Sequence, residues 1–251
     1  KSQTKGVLQM KIIINGCEGK MGQILTKLSM QNHEVVCGIS TRNAKDSFPI
    51  FDDINNFSGY ADVLIDFSTA LAVPKIIDYC VKRKIPAVIC TTGIDAETEK
   101  KICDAAKIIP IFKSANMSLG INIVNLILEQ VAKTLFDLNF DIEILEKHHN
   151  QKIDAPSGTA LLLADTIKKS IGNLDYKFQR NNLRQKNEIG ISCVRGGTIV
   201  GEHSIIFAGI DETIEIKHCA QSREIFAFGA IKAAEFILNK PPQLYSMRDM
   251  L

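Results

Sequence analysis

The sequence predicts an α/β protein: a doubly wound parallel sheet joined to a second domain of α+β type built on an open mixed sheet. Three observations carry this. A short apolar run at 10–15 passes through a glycine turn into a helical pattern. From there to residue 113, strand-type runs alternate with helix-type runs, a rhythm that requires crossover helices and hence a parallel sheet covered on both faces. Between 189 and 219 the rhythm changes to strand-type runs with glycine turns and no helix between them. The expected domains are 1–117 with 223–251, and 118–222. No internal repeat or low-complexity tract interrupts them.

In the first half, 10–15 is strand-type, Gly16-Cys17-Glu18-Gly19-Lys20-Met21-Gly22 forms the turn, and 23–30 is helical. Strand, glycine turn and helix is the Rossmann-like context in which backbone N–H groups at a helix start hold the pyrophosphate of a dinucleotide. The spacing is G-x-x-G-x-x-G, which would also suit a plain helix-capping loop; the βα context favours cofactor binding. The strand 34–39 ends in Ser40-Thr41-Arg42, where an acidic residue would ordinarily hold the ribose hydroxyls of NAD. No carboxylate there repels a 2′-phosphate and Arg42 can pair with one, so NADPH should be accepted at least as well as NADH. The other reading of Arg42 is a solvated surface charge.

Residues 43–59 read as a polar, irregular loop with one short apolar patch. The strand 63–66 then ends in Asp66-Phe67-Ser68-Thr69, the helix 74–83 follows, and the strand 87–90 ends in Thr91-Thr92-Gly93. After the helix 95–106, the strand 109–113 ends in Ser114-Ala115-Asn116-Met117-Ser118. Small polar residues thus recur at strand carboxyl ends, where ligands of open α/β sheets bind, although each alone would equally be a turn.

The second half opens with an amphipathic helix at 120–136 and an alternating strand at 141–147. A polar connection leads to apolar residues at helical spacing from 160 to 167. Residues 172–187 read as a mobile polar excursion. The runs 189–195, 199–208 and 211–219 read as strands with hairpin-type turns, and 224–238 as the final helix before a tail at 241–251.

The connection concentrates the chemistry. His148, His149 and Lys152 precede Pro156, placed where a helix can begin, and Ser157-Gly158-Thr159, with capping residue types. A helix start has unpaired N–H groups and partial positive charge, so it attracts a carboxylate or phosphate; Gly158 lets the anion approach the backbone and Lys152 adds a full charge. The histidines change protonation near neutral pH. Ser-Gly-Thr alone would be read as a capped helix after a solvated loop, and the added histidines and lysine favour an anion site. His203 and His218 could be grouped with His148 and His149 as metal ligands, but no acidic or thiol residue stands at ligand spacing. No metal is expected, and strand histidines of this kind are hydrogen-bonded core or interface residues.

The run Glu146-x-His148-His149-x-x-Lys152-x-Asp154-Ala155-Pro156-Ser157-Gly158-Thr159-Ala160 resembles the signature of the dihydrodipicolinate reductase (4-hydroxy-tetrahydrodipicolinate reductase) family of lysine and diaminopimelate biosynthesis. The glycine turn resembles that family's G-x-x-G-R-M-G, with Lys20 in the arginine's place. The motifs fall in matching order from Met10 to Leu251. The resemblance implies an NAD(P)H-dependent reductase that converts a cyclic unsaturated dicarboxylate to tetrahydrodipicolinate. It implies catalysis by His148 and Lys152, and a substrate carboxylate held by His149, Ser157, Gly158 and Thr159. Cofactor contacts are implied at Gly16, Cys17, Glu18, Gly19, Lys20, Met21, Arg42, Phe67, Ser68, Cys90, Thr91, Thr92, Ser114, Ala115, Asn116 and Met117. Many members carry an acidic residue after the second strand; its lack here weakens the expected hold on NADH. The carboxyl tail is implied to pack back on the nucleotide domain, and a homotetramer is implied through the substrate-domain sheets. Exposed sheet faces with Ile and Phe at alternate positions, as at 205–207, agree with that.

Two alternatives remain. Another two-domain dehydrogenase, acting on a semialdehyde or homoserine, would lack the His-His-x-x-Lys and Ser-Gly-Thr group. A thioester mechanism would also need an accessible cysteine, whereas Cys90 and Cys103 are expected to be buried. A non-catalytic NADP-binding sensor would bind NADPH without oxidising it.

Composition bounds the rest. With 251 residues, a sizeable core is affordable, and Lys+Arg 30 against Asp+Glu 28 leaves no basic stripe or acidic tail for nucleic acid or a membrane surface. The seven cysteines (17, 37, 80, 90, 103, 193, 219) form no C-x-x-C pair and read as buried free thiols of a reducing cytoplasm. No apolar segment reads as long enough to cross a bilayer, and no signal peptide is evident. Residues 1–9 read as a tag or short disordered extension before a native start at Met10-Lys11-Ile12.

Overall fold

In chain order the elements are β1 (Lys11–Asn15), α1 (Lys20–Ser29), β2 (Glu34–Ile39), β3 (Ile50–Phe51), β4 (Val63–Asp66), α2 (Val73–Arg83), β5 (Ala87–Ile89), α3 (Ala96–Ala105) and β6 (Ile111–Lys113). Then come α4 (Leu119–Asp137), β7 (Asp141–His148), α5 (Gly158–Ile171), β8 (Asp175–Phe178), β9 (Glu188–Arg195), β10 (Gly201–Ala208) and β11 (Thr213–Ala220). The chain closes with α6 (Glu224–Ile237), β12 (Leu244–Tyr245) and α7 (Met247–Met250). This computed structural model describes residues 9–42 and 46–251; the reading of 1–8 as an extension and of 43–45 as loop lies outside the described residues. The chain divides into one unit comprising everything up to Leu119 together with Arg223–Leu251, and another comprising Gly120–Ser222.

The first unit holds a seven-stranded sheet in the order β12-β6-β5-β4-β1-β2-β3. All its pairings are parallel. The strands are short, apolar and buried on both sides: Ile12 and Ile14 face a core with Leu25 of α1 and Ala227, Ala230 and Ala234 of α6. Ile13 and Leu64 face the opposite core with Ile76, Ile77 and Cys80 of α2 and Ile102 of α3. The chain runs outward from β1 through β2 on one side and through β4, β5 and β6 on the other. The β1/β4 junction is therefore the topological switch point, and the crevice at its carboxyl end is where such sheets bind ligands. The stretch read as an irregular loop also contributes β3 and a 3-10 turn at Ile54–Asn56, capped by the Asp53 side chain. The tail returns as β12, pairing with β6.

The second unit is a five-stranded sheet in the order β11-β10-β7-β9-β8. Its inner face, with Ile142, Ile144, Ile189, Ile191, Ile205 and Phe207, packs on Val124, Leu128 and Ala132 of α4 and Leu163, Ala164 and Ile167 of α5. Three expectations are corrected. Ile205 and Phe207 are wholly buried, so the open face of the sheet is the other one, carrying half-buried Leu145 and Ile206 and exposed Val194. β9 and β10 form no hairpin: β7 lies between them, parallel to β9 and antiparallel to β10, a pairing of segments distant in sequence that no local turn signal announces. The polar excursion includes an edge strand, β8, and Arg180 and Arg184 tie it to Glu143, Glu188 and Asp141. Its charges pair with the sheet, which is why hydropathy alone missed it.

Two further readings change. α4 is long and apolar enough by length and composition to cross a membrane. However, Val124, Leu128 and Ala132 form a buried stripe against the sheet, and Glu129 and Lys133 interrupt the apolar run, so the helix packs on the sheet by one face. All the cysteines are free, but Cys103, Cys193 and Cys219 are exposed; Cys103 lies on the outer side of α3, away from the buried Ile102.

Candidate active site

In the first unit, β1 delivers the chain into Gly16, whose φ of 78° places it in the left-handed region. A Cβ there would lie 2.6 Å from the Phe67 carbonyl oxygen, and one on Gly22 would lie 2.0 Å from the Gly16 carbonyl oxygen. Glycine at both positions lets the turn, β4 and α1 come together. Gly19 caps α1 without any side-chain hydrogen bond, and the first turn contains no acidic residue. The helix start is thus fitted to an anionic pyrophosphate. Beside it lies a cleft of about 330 Å³ lined by residues that include Gly16, Glu18, Gly19, Arg42, Phe67 and Ser68. The donor set and the shape fit a dinucleotide.

Under this crevice lies Asp66, wholly buried at the end of β4. Its carboxylate accepts from Asn15 Nδ2 (2.7 Å), Ser68 Oγ (2.5 Å), Ser68 N (3.2 Å) and Thr91 Oγ1 (2.7 Å). Burial pushes its pKa up against these hydrogen bonds, and no cation is among its partners. Asp66 therefore joins the ends of β1, β4 and β5 with neutral donors. Ser68 N also donates to Thr91 Oγ1 at 3.1 Å.

The remaining expected cofactor residues are placed as follows. Lys20 opens α1 in an exposed position, and Met21 packs on the core. Cys17 is buried, its thiol pointing to the Ile39 carbonyl and pushed up to about 11 by burial. Cys90 and Met117 are buried in the core shared with α6. Thr92 and Ala115 are exposed at the ends of β5 and β6, and Ser114 Oγ donates to the Asn116 carbonyl at 2.8 Å. These residues share the carboxyl edge of the sheet but do not line the cleft beside Gly16.

In the second unit, the alternation of β7 that buries Ile142 and Ile144 also turns Glu146 and His148 to the inner face. Glu146 is 0% exposed. Its carboxylate lies 2.5 Å from His148 Nδ1 and accepts from Ser157 N at 3.0 Å. Arg195, arriving on β9, grips it with both terminal nitrogens at 2.8 and 2.7 Å, and also donates to the Asp154 carbonyl at 2.6 Å. Burial alone would raise the Glu146 pKa, but the bonds from Arg195, His148, Cys193 and Ser157 outweigh it and hold it at about 2. His148 is pulled below the usual histidine range by burial, against the opposing effect of Glu146.

Ser157 caps α5 by accepting from Ala160 N at 3.2 Å, and its hydroxyl also meets His203 Nε2 at 3.0 Å. Pro156 therefore precedes the cap instead of occupying the first turn, and Gly158 is the first helical residue. His203 lies edge-on to His148 with ring centroids 5.1 Å apart; burial brings its pKa down to about 4. Lys152 Nζ lies 2.7 Å from the Asp154 carboxylate, whose pKa is held down by Lys152 and, to a lesser degree, by the backbone at Gly158. Lysine and helix start thus converge on one carboxylate. His149 is half-buried beside them, and Thr159 begins the helix after Gly158. The group gathers His148, His149, Lys152, Gly158 and Thr159 at one end of the sheet, with the Ser157 hydroxyl committed to capping.

Sequence reasoning assigned no role to Arg195, used Glu146 only as part of the signature run, and took Asp66 only as part of a ligand-facing strand end. The usable signal was register: Glu146 is a charged residue on a strand face otherwise filled by isoleucine. Such a residue must find a partner. Arg195 comes from 49 residues away and carries no local signal. Among the described residues there is no cluster of three or more His, Cys, Asp or Glu side chains able to hold a metal.

Comparison with known proteins agrees with this architecture. The sequence model described as dihydrodipicolinate reductase, N-terminus, matches residues 10–117, and that described as dihydrodipicolinate reductase, C-terminus, matches residues 120–251. The 4-hydroxy-tetrahydrodipicolinate reductase of Clostridium tetani is 50% identical over 250 residues, covering 97% of this chain and 98% of the relative. That of Brachyspira hyodysenteriae is 44% identical, covering 96% and 100%. Among solved structures, the dipicolinate-bound dihydrodipicolinate reductase of Paenisporosarcina sp. TG-14 superposes with a TM-score of 0.79 at 23% identity, covering 97% of this chain and 100% of that one, a likeness of fold. Aspartate dehydrogenase of Thermotoga maritima reaches 0.53 at 13% identity, covering 92% and 97%. Both halves of the chain and close relatives along its length agree, and the chain belongs to the dihydrodipicolinate reductase family of NAD(P)H-dependent oxidoreductases.

Proposed function

We propose that the unit carrying the glycine turn holds NADPH or NADH and that the other unit holds a cyclic unsaturated dicarboxylate, which is reduced to tetrahydrodipicolinate. The observation that carries this is the convergence of His148, His149, Lys152 and the start of α5 at one end of the five-stranded sheet. Bound NAD(P)H supplies a hydride. Gly16, Glu18, Gly19 and the start of α1 would hold its pyrophosphate, with Phe67 and Ser68 beside it and Arg42 placed to pair with a 2′-phosphate. Cys17, Lys20, Met21, Cys90, Thr91, Thr92 and Ser114 to Met117 would shape the edge of that site.

On the substrate, a carboxylate is received by Gly158 and Thr159 N–H with His149, displacing Asp154 from Lys152. Addition of hydride to one ring carbon leaves an electron pair that takes up a proton; His148 donates it, and Lys152 stabilises the developing negative charge. His148 is mostly uncharged in the free protein at neutral pH because burial lowers its pKa. Two substrate carboxylates favour its charged form, so the substrate itself arms the acid. The deprotonation of His148 should therefore limit kcat at a higher pH than it limits kcat/KM. Dipicolinate in the Paenisporosarcina relative is itself a cyclic dicarboxylate, which supports this substrate class.

The assembly is a cytoplasmic homotetramer in this reading. Free cysteines support a reducing compartment, and Leu145, Ile206 and Val194 on the open sheet face support association there. The test is oxidation of NADPH and of NADH while the pathway's synthase supplies substrate in place. Synthase-dependent oxidation is expected; tight NADPH binding without oxidation would identify a sensor and overturn the reading.

A further inference from the structure

A wholly buried carboxylate in the second unit belongs to a residue with no place in the reaction so far. Glu146 is fully buried and uses both carboxylate oxygens: Oε2 toward His148 Nδ1 and Arg195, Oε1 toward Arg195 and Ser157 N. A guanidinium gripping with two nitrogens favours the ionised carboxylate and fixes its plane. An ionised carboxylate can only accept, so the ring nitrogen 2.5 Å away must carry hydrogen. We propose that Glu146, clamped by Arg195, is a positioning residue for the reduction: it fixes His148 with hydrogen on Nδ1 and leaves Nε2 as the nitrogen that gives up the proton.

The assignment rests on the reading of His148 as the proton donor. The arrangement follows the physical logic of an acid group behind a catalytic imidazole, in which the carboxylate selects the tautomer and favours the charged ring without itself taking the proton. The surroundings sharpen this. Lys152 from the connection, Arg195 from β9 and the His203 ring from β10 all face His148, and His218 lies across from His203 on β11. Lys152 and Arg195 disfavour an imidazolium, as does burial, so Glu146 is the group that opposes them. Cys193 and Ser157 N–H complete its shell without adding charge. Arg195 also holds the Asp154 carbonyl, so the same clamp ties the Lys152 connection to the strand that carries His148.

The direct test is ¹⁵N NMR of the histidine rings in the full-length protein, with the His148 signals identified by their loss in His148→Gln. The expected neutral form carries hydrogen on Nδ1. Glu146→Gln removes the charge; its kcat should fall by roughly 30-fold or more, the KM for NADPH should hold, and the His148 titration read by NMR should move down by about one pH unit. Should Glu146→Gln fail to fold, the tautomer and titration of the unaltered protein decide the matter. Hydrogen on Nε2 in the neutral ring, or an unmoved titration in a folded Glu146→Gln, would overturn the role of Glu146 while leaving His148 as donor. Undiminished turnover in His148→Gln would overturn the donor reading, and this assignment with it, whatever tautomer is seen.

Discussion

Each unit buries one carboxylate completely at the carboxyl end of a strand, and the two are treated in opposite ways. Asp66 in the seven-stranded sheet is satisfied by an amide, two hydroxyls and a backbone N–H, with no cation, and burial raises its pKa. Glu146 in the five-stranded sheet is met by a guanidinium and an imidazole and is held at about 2. Neutral donors fix geometry, which is what a dinucleotide crevice requires. A buried ion network fixes protonation state, which is what proton transfer requires. In the function proposed above, the difference separates a unit that holds from a unit that reacts.

The contrast can be broken most forcefully at the clamp. Arg195→Met leaves a buried carboxylate without its cation and should destabilise the second unit by about 3–5 kcal/mol, measured by denaturant unfolding. Equal tolerance of this change and of Asp66→Asn would erase the distinction. Lys152→Ala should cut kcat by about 100-fold or more while NADPH binding measured by fluorescence stays nearly intact; near-normal turnover would remove Lys152 from the chemistry. Arg42→Ala tests the other unit: NADPH affinity should fall roughly tenfold with NADH affinity unchanged. Asp66→Asn should cost only about 1 kcal/mol, because no ion pair is lost, with its effect appearing as a raised KM for the cofactor.

Acid sharpens the comparison further. The depressed pKa of Glu146 contributes stability that is fully present above about 4.5 and is lost as pH falls toward about 2. His203 acts in the same direction from 6.5 down to about 4, since it is neutral when folded and takes up a proton more readily when unfolded. Asp66, raised by burial, runs the other way. Hydrogen-exchange protection along β7 and β9, taken relative to the intrinsic rate at each pH, should therefore fall as pH falls through this range, and Glu146→Gln should flatten the part below 4.5.

Much of this was legible in the sequence because it is local. The βα alternation, the glycine turn and the capped start of α5 each depend on residues within one element and its connection. What escaped depended on pairing between distant segments. Nothing near Glu188 announces that β9 will lie beside β7 and not beside β10, and Arg180 and Arg184 look like loop charges until Glu143 and Asp141 are placed opposite them. The inner and outer faces of β10 were exchanged for a related reason. Ile205, Ile206 and Phe207 are all apolar, so alternation gives no sign there, and only the neighbouring strand and α5 decide which face is core. Cys103 was read as buried from its composition, although the helical register of α3 turns it away from Ile102.

The most direct test of the division between a holding unit and a reacting unit is His148→Gln, with turnover and NADPH dissociation constant measured on the same preparation. The account predicts that kcat falls by about 100-fold or more, within the range expected for loss of a general acid, while the dissociation constant changes less than about twofold. Turnover close to that of the unaltered protein would contradict it, as would a loss of NADPH binding that alone explained the lost rate.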